Sequence, residues 1–258
     1  MATLHTFNGP TEHSVVSHDE WLNARKAFLL EEKKFTKLRD ELNEQRRALP
    51  WEKVEKEYIF DTQSGKKTLA DLFDGKRQLI VWHFMFGPND SEGCSHCSLW
   101  ADTFNGNIVH LRQRDTTMIA ISRTTLGKIE AFKARMGWGF TWVSSGNTDF
   151  NFDYNASFRP EELAAGKAIY NYQEIAPHGS ELHGISTFYK DDKGDIYHTY
   201  STYGRGVDMQ NGTYQFLDLT AKGRDEDFSS DHPSSWVRHH DKYPDTDRSV
   251  KPVSIGLS

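Results

Sequence analysis

Long hydrophobic runs, basic patches, internal repeats and cysteines are all scarce in this chain of 258 residues, and each scarcity removes a class of function. No stretch approaches the roughly 18 apolar residues of a membrane-spanning helix, so no membrane is expected as a partner. Met1 to Pro10 hold neither a basic n-region nor an apolar h-region, which predicts no secretory signal and a cytoplasmic setting. A formal net charge of -6 with no basic patch argues against a nucleic-acid backbone as partner. The apolar fraction of 36% suffices for one core but is low for a fully compact globule, so polar extensions to a single core are expected.

The two cysteines, Cys94 and Cys97, lie three apart. Upstream, Gln78 to Phe86 is dense in β-branched and aromatic residues and reads as a buried central strand that ends at Gly87, Pro88, Asn89 and Asp90. Downstream, Ser98 to Arg112 reads as a helix. A Cys-x-x-Cys pair between a strand and a helix start is a redox arrangement, because the free N–H groups and positive dipole end of a helix favour a thiolate. Cys94, the first of the pair, is therefore the expected nucleophile, with a thiolate pKa in the range of about 3.5 to about 7 known for such motifs. His96 sits inside the loop as a neighbouring cation. In a reducing compartment such a pair serves catalysis or metal binding rather than a structural staple.

Along the chain, residues 1–16 read as a flexible lead. Ser17 and Glu20 form a capping box, so a helix is expected from His18 to about Ala48, stopped by Pro50. Trp21, Phe28, Phe35, Leu42 and Leu49 recur every seven residues, a narrow stripe that suits either a strap across its own domain or a homodimerisation helix. Strands are expected at Glu55 to Phe60, Thr116 to Ser122 and Phe140 to Ser144, with a helix at Leu126 to Met136. This β-α-β-α-β order predicts parallel pairing with right-handed crossovers. Asn147 to Phe158 reads as a loop anchored by aromatics, and residues 159–181 as an insertion, helical near Glu161 to Gly166. Gly184 to Lys190 and Asp195 to Tyr200 spell a hairpin closing the sheet. A helix at Val207 to Leu219 and an extended or partly disordered tail from about Lys222 complete the reading. Three parts follow: residues 1–50 as lead and long helix, 51–222 as the central α/β domain, and 223–258 as a C-terminal extension that wraps it.

The Leu-x-Asp-Leu-Phe-x-Gly-Lys lead, the strand, Cys-x-x-Cys on a helix and the Thr-Phe-(x)2-Asp-(x)2-Gly hairpin together resemble the peroxiredoxin and membrane-anchored branch of the thioredoxin superfamily. More specifically, FMFGP(x)5GCSHCSLWAD, MGWGFTWVSS, HTYSTYGRGVDMQNGTYQFLDLT and WVRHHDKY resemble the family catalogued as domain of unknown function 899, over roughly residues 15–243. The resemblance implies a thioredoxin-like central sheet flanked by helices. One position departs from thioredoxins: Ile185 stands where they place a cis-proline opposite the cysteine pair. In Sco-type copper proteins of similar fold, a metal-binding histidine occupies a place like that of His183 here.

Two functions are therefore carried forward. In the first, the protein is a thiol–disulfide oxidoreductase: Cys94 attacks a disulfide, thiol-derived or peroxide substrate, Cys97 resolves the intermediate, His96 assists, and no cofactor is required. In the second, Cys94, Cys97 and His183 ligate Cu(I), a soft, low-coordinate set. A third possibility, a binding scaffold, has no feature of its own.

Overall fold

The structure is a computed structural model that describes residues 13–226 and 234–244. Its centre is the expected buried strand. Helix α1 (His18–Arg47) comes first, followed by β1 (Glu52–Lys53), β2 (Ile59–Thr62), β3 (Gly65–Thr68), the single turn α2 (Leu69–Leu72) and the central β4 (Gln78–His83). Then come α3 (Ser95–Asn105), α4 (Ile108–Arg112), β5 (Thr116–Ser122), α5 (Leu126–Arg135) and β6 (Thr141–Ser144). The chain continues with α6 (Phe150–Asp153), α7 (Pro160–Ala165), β7 (Ala168–Tyr170), β8 (Gln173–Ile175), β9 (Gly184–Lys190), β10 (Ile196–Tyr203) and α8 (Gly212–Leu217).

Eight strands form one sheet in the order β1-β10-β9-β4-β5-β6-β2-β3. β4, β5 and β6 are parallel neighbours, with Val81 opposite Ile119 and Ile121 opposite Val143. The β9–β10 hairpin runs antiparallel to β4 and sets Trp82 opposite Ile185. This parallel β-α-β-α-β core with an antiparallel hairpin is a thioredoxin-like sheet. Every residue of β5 is buried, as a strand covered on both faces requires.

Alternation along β4 divides the core in two. Trp82, Phe84 and Phe86 join Cys97, Trp100, Phe104, Phe132 and Trp142 on the face covered by α3 and α5. Leu79 and Val81 join Phe60, Phe73, Ile119, Ile121, Phe150 and Phe188 on the other. His83 lies on that second face, stacked near Phe150 and Tyr154, and its Nε2 meets Ser186 Oγ at 2.9 Å. Ser186 continues to Ser201 at 2.8 Å and Ser201 to His198 at 2.7 Å, a polar ladder crossing three strands.

α1 begins at the Ser17–Glu20 capping box, as its sequence predicts. The strap reading is corrected: no residue of α1 is buried, and Trp21, Phe28, Phe35 and Leu42 are each more than half exposed. The helix is tied to the body near its end, where the Arg46 guanidinium lies 4.9 Å from the Tyr200 ring and Trp51 packs against Tyr189 and Tyr197. Three other expectations change. The helix of Ser98 to Arg112 starts at Ser95 and breaks after Asn105, where Gly106 caps it. The helix of Val207 to Leu219 is a 3-10 turn, Gly204–Gln210, followed by the short α8, with the Asn211 side chain capping the latter. The proposed insertion contains a separate two-stranded sheet, β7 with β8, beside α7. Most of the N-terminal lead lies outside the described residues.

Candidate active site

Met85, just past the end of β4, brackets the cysteine pair with its own backbone. Its carbonyl accepts from the Cys94 N–H at 3.0 Å, and its N–H donates to Cys97 Sγ at 3.5 Å. The chain reaches Cys94 through Gly93, where only glycine fits: a Cβ there would stand 2.7 Å from the Phe84 ring and 2.9 Å from the Phe132 ring. Cys94 is then the N-cap of α3, with its carbonyl taking the Ser98 N–H at 3.0 Å and the Ser98 hydroxyl at 2.9 Å. An N-cap side chain faces the unpaired N–H groups of the first turn. Here that side chain is sulfur.

Both cysteines are free thiols; Cys94 is half-buried and Cys97 buried. Their environments push them apart. The neighbouring Cys97 thiol, the His96 ring and the Cys97 backbone N–H hold the Cys94 thiol well below its usual range, against the opposing cost of burial. Burial first, and then the negative Cys94, push the Cys97 thiol up. His96 answers Cys94: the sulfur's hydrogen bond raises the imidazole above its ordinary value, despite partial burial. These shifts favour a Cys94 thiolate beside a protonated His96, with the remaining thiol proton kept on Cys97.

The structure brings His183 beside this group but does not assemble a metal site. Its ring lies 5.9 Å from Trp82 and 6.0 Å from Trp100, and Nε2 faces the Gly204 carbonyl at 3.4 Å. Burial keeps it below the ordinary histidine value, so it is neutral. Among the described residues, no three His, Cys, Asp or Glu side chains stand together as a group that could hold a metal ion. The copper reading of Cys94, Cys97 and His183 finds no support in this arrangement, in which the indole rings and the Gly204 carbonyl lie against the imidazole. Ile185, in the place of the thioredoxin cis-proline, is buried on the cysteine-bearing face, and no cis peptide occurs among the described residues.

The C-terminal segment contributes contacts that sequence reasoning missed. His96 Nε2 meets Ser234 Oγ at 2.8 Å, and His239 Nε2 donates to the Gly93 carbonyl at 2.8 Å. Because a carbonyl only accepts, Nε2 of His239 carries the hydrogen and Nδ1 accepts from Arg135 at 3.1 Å. Glu92, ahead of Gly93, is bound by Lys242 and Arg135, which hold its carboxyl down to about 2. The sequence signal there was the WVRHHDKY motif, whose Trp236 and Val237 interrupt a polar tail; Val237 is buried in the main core.

The chain belongs to the family described as bacterial protein of unknown function (DUF899), whose pattern matches residues 10–243. No curated protein matches it. Among solved structures, similarity extends to the Xanthomonas campestris bacterioferritin comigratory protein, studied for alkyl peroxide reduction, at 12% identity over 60% of this chain and 86% of that one, TM-score 0.42. The peroxidoxin BcpB of Mycobacterium tuberculosis is similar at 12% identity over 63% and 94%, TM-score 0.39. A yeast mitochondrial 1-Cys peroxiredoxin is similar at 17% identity over 67% and 78%, TM-score 0.41.

Proposed function

Within that family, we propose that this protein is a thiol-dependent oxidoreductase in which Cys94 is the attacking thiolate and Cys97 the resolving thiol. The observation that carries the reading is the place of the half-buried Cys94 at the N-cap of α3, three residues before the buried Cys97, where Cys97 and His96 hold its thiol well below the usual range. With a disulfide substrate, Cys94 sulfur bonds to one substrate sulfur and the other leaves as a thiolate. Cys97 then loses its proton and attacks Cys94, which releases the second substrate thiolate and leaves the Cys94–Cys97 disulfide. The substrate gains two electrons and the pair loses two. With a peroxide, Cys94 takes the terminal oxygen to become a sulfenic acid, the alcohol or water leaves with a proton from His96, and Cys97 condenses to the same disulfide with loss of water. The reading suits a reducing compartment such as the cytoplasm, where two free thiols persist.

Mass-spectrometric mapping of iodoacetamide adducts at neutral pH tests the assignment. Cys94 is expected to label much faster than Cys97. Equal rates, or an unlabelled reduced protein, would overturn it. Hydrogen peroxide and glutathione disulfide, offered separately to the reduced protein, then distinguish the substrates by which one removes two thiols per chain.

The exposed stripe of α1 supports a second element of the proposal, a homodimer formed through this helix. Glu20 and Glu41 precede the stripe residues Trp21 and Leu42 by one, and Arg25 and Arg46 follow them by four. In a parallel pair this register sets Glu20 toward the partner's Arg25, which would exchange its present ion pair with Glu32 for one across the seam. Sedimentation of the full chain and of Phe28→Glu/Phe35→Glu decides: a dimer that the substitutions dissociate is expected, and a monomeric wild type rejects it.

A further inference from the structure

The half-buried Cys94 has beside it a histidine whose far side is held by a residue that neither its own helix nor the central sheet supplies. His96 is the third residue of the Cys-x-x-Cys run, and its half-buried ring is met on the Nε2 side by Ser234, 138 residues further along. The Ser234 hydroxyl lies 2.8 Å from Nε2. A hydroxyl both donates and accepts, so it can hold Nε2 in either protonation state of the ring. With Nε2 committed to Ser234, Nδ1 is the ring nitrogen left for the sulfur.

Ser234 is itself held. The segment that follows it closes over both shoulders of the cysteine loop. On one side His239 donates to the Gly93 carbonyl at 2.8 Å, and Lys242 and Arg135 both bind Glu92 at 2.8 Å. On the other, His240 Nδ1 meets Asp102 of α3 at 2.8 Å, and Asp102 also takes the Trp138 indole N–H at 2.7 Å. Asp241 completes the attachment with two bonds to Arg135, at 2.8 and 3.0 Å. Val237, between these polar contacts, is buried among the aromatic residues of the cysteine-bearing core. The segment is thus attached on both sides of Cys94 and brings Ser234 to the ring between them.

We propose that residues 234–242 form the outer wall of the thiol site, and that Ser234 is a positioning residue that holds the His96 ring with Nδ1 toward Cys94. The inference rests on the reading of Cys94 as the attacking thiolate. It assigns a role in the thiol chemistry to a part of the chain that touches neither sulfur. Ser234 acts through His96, so its effect exists only while His96 is present. That dependence separates positioning from a general contribution to folding.

The experiment is a double-substitution cycle on the full chain, read as the rate of Cys94 alkylation by iodoacetamide from pH 4 to 10 in a Cys97→Ser background. Ser234→Ala is expected to slow alkylation at neutral pH by about tenfold, the size of one hydrogen bond to a charged group, and to move the half-reaction pH upward. Ser234→Thr, which keeps the hydroxyl, is expected to restore both. In a His96→Ala background, Ser234→Ala is expected to change nothing further. A wild-type-like Ser234→Ala, or effects of Ser234→Ala and His96→Ala that simply add, would overturn the inference while leaving Cys94 as the nucleophile. Failure of Cys94 to label selectively in the otherwise unaltered chain would instead remove the functional reading on which it rests.

Discussion

The histidines of this chain divide according to what lies against each ring. His96 sits beside the Cys94 sulfur and is raised, whereas the desolvation of buried His83 and half-buried His183 and His198 lowers them, His83 to about 3. The lowered ones impose a sign on stability. An unfolded chain protonates its histidines near pH 6.5, but the folded chain does not, so folding is fully favoured above about 6.5 and loses ground as the pH falls from there toward 3. Glu92, whose folded value is about 2, adds to the loss in the same direction below the ordinary carboxylate range. Urea midpoints measured from pH 7.5 down to 4 are expected to fall, and to fall less steeply in His83→Gln, which keeps a side-chain partner for Ser186 without the titrating ring. An equal slope in that variant would count against the burial account. Gly93 gives a second residue-scale prediction. Gly93→Ala forces a methyl into the Phe84 and Phe132 rings and is expected to cost about 1–3 kcal/mol of stability, read from the same midpoints.

Among the elements, α1 and the C-terminal segment make opposite uses of apolar residues. α1 buries none of its stripe, whereas the short tail buries Val237 and His239. Deleting residues 1–48 is therefore expected to leave Cys94 labelling unchanged and the melting temperature close to that of the full chain, while lowering the sedimentation coefficient beyond the lost mass. A large drop in Cys94 reactivity would show that α1 supports the site. What could be read from sequence follows the same division between local and distant causes. β4 and β5 were legible because a doubly covered strand leaves an unbroken apolar run, and the start of α1 because Ser17 and Glu20 cap it within one turn. The place of Cys94 at a helix start was legible because the strand end and the Cys-x-x-Cys run lie within one short stretch. β7 and β8 were not, since three-residue strands have too little pattern to mark a period. Nor was Ser234, a serine in a polar tail whose meaning comes wholly from a ring brought to it by the fold. His183 stood close to where the hairpin placed it, yet Trp82, Trp100 and the Gly204 carbonyl decide its orientation, and no spacing encodes that.

For the whole molecule, everything that steadies the Cys94 thiolate steadies the reduced protein and is lost when the pair closes into a disulfide. The dithiol form is accordingly expected to melt at a higher temperature than the disulfide form. Its potential should lie toward the oxidising end of the range from about -270 to about -120 mV spanned by such pairs. Equilibration in glutathione buffers of graded ratio, with alkylated thiols counted by mass, measures this. A value at the reducing end would contradict a stabilised thiolate. The contact between His96 and Ser234 also places the site in time. During synthesis at about 5–20 residues per second, roughly 7–28 s separate the appearance of His96 from that of Ser234. Throughout that interval the emerging chain carries its cysteines without the wall that orients the histidine. On the proposed reading, Cys94 then gains its full reactivity only once residues 234–242 have been made and have docked, so a nascent chain stalled before Ser234 is expected to label more slowly than the full chain.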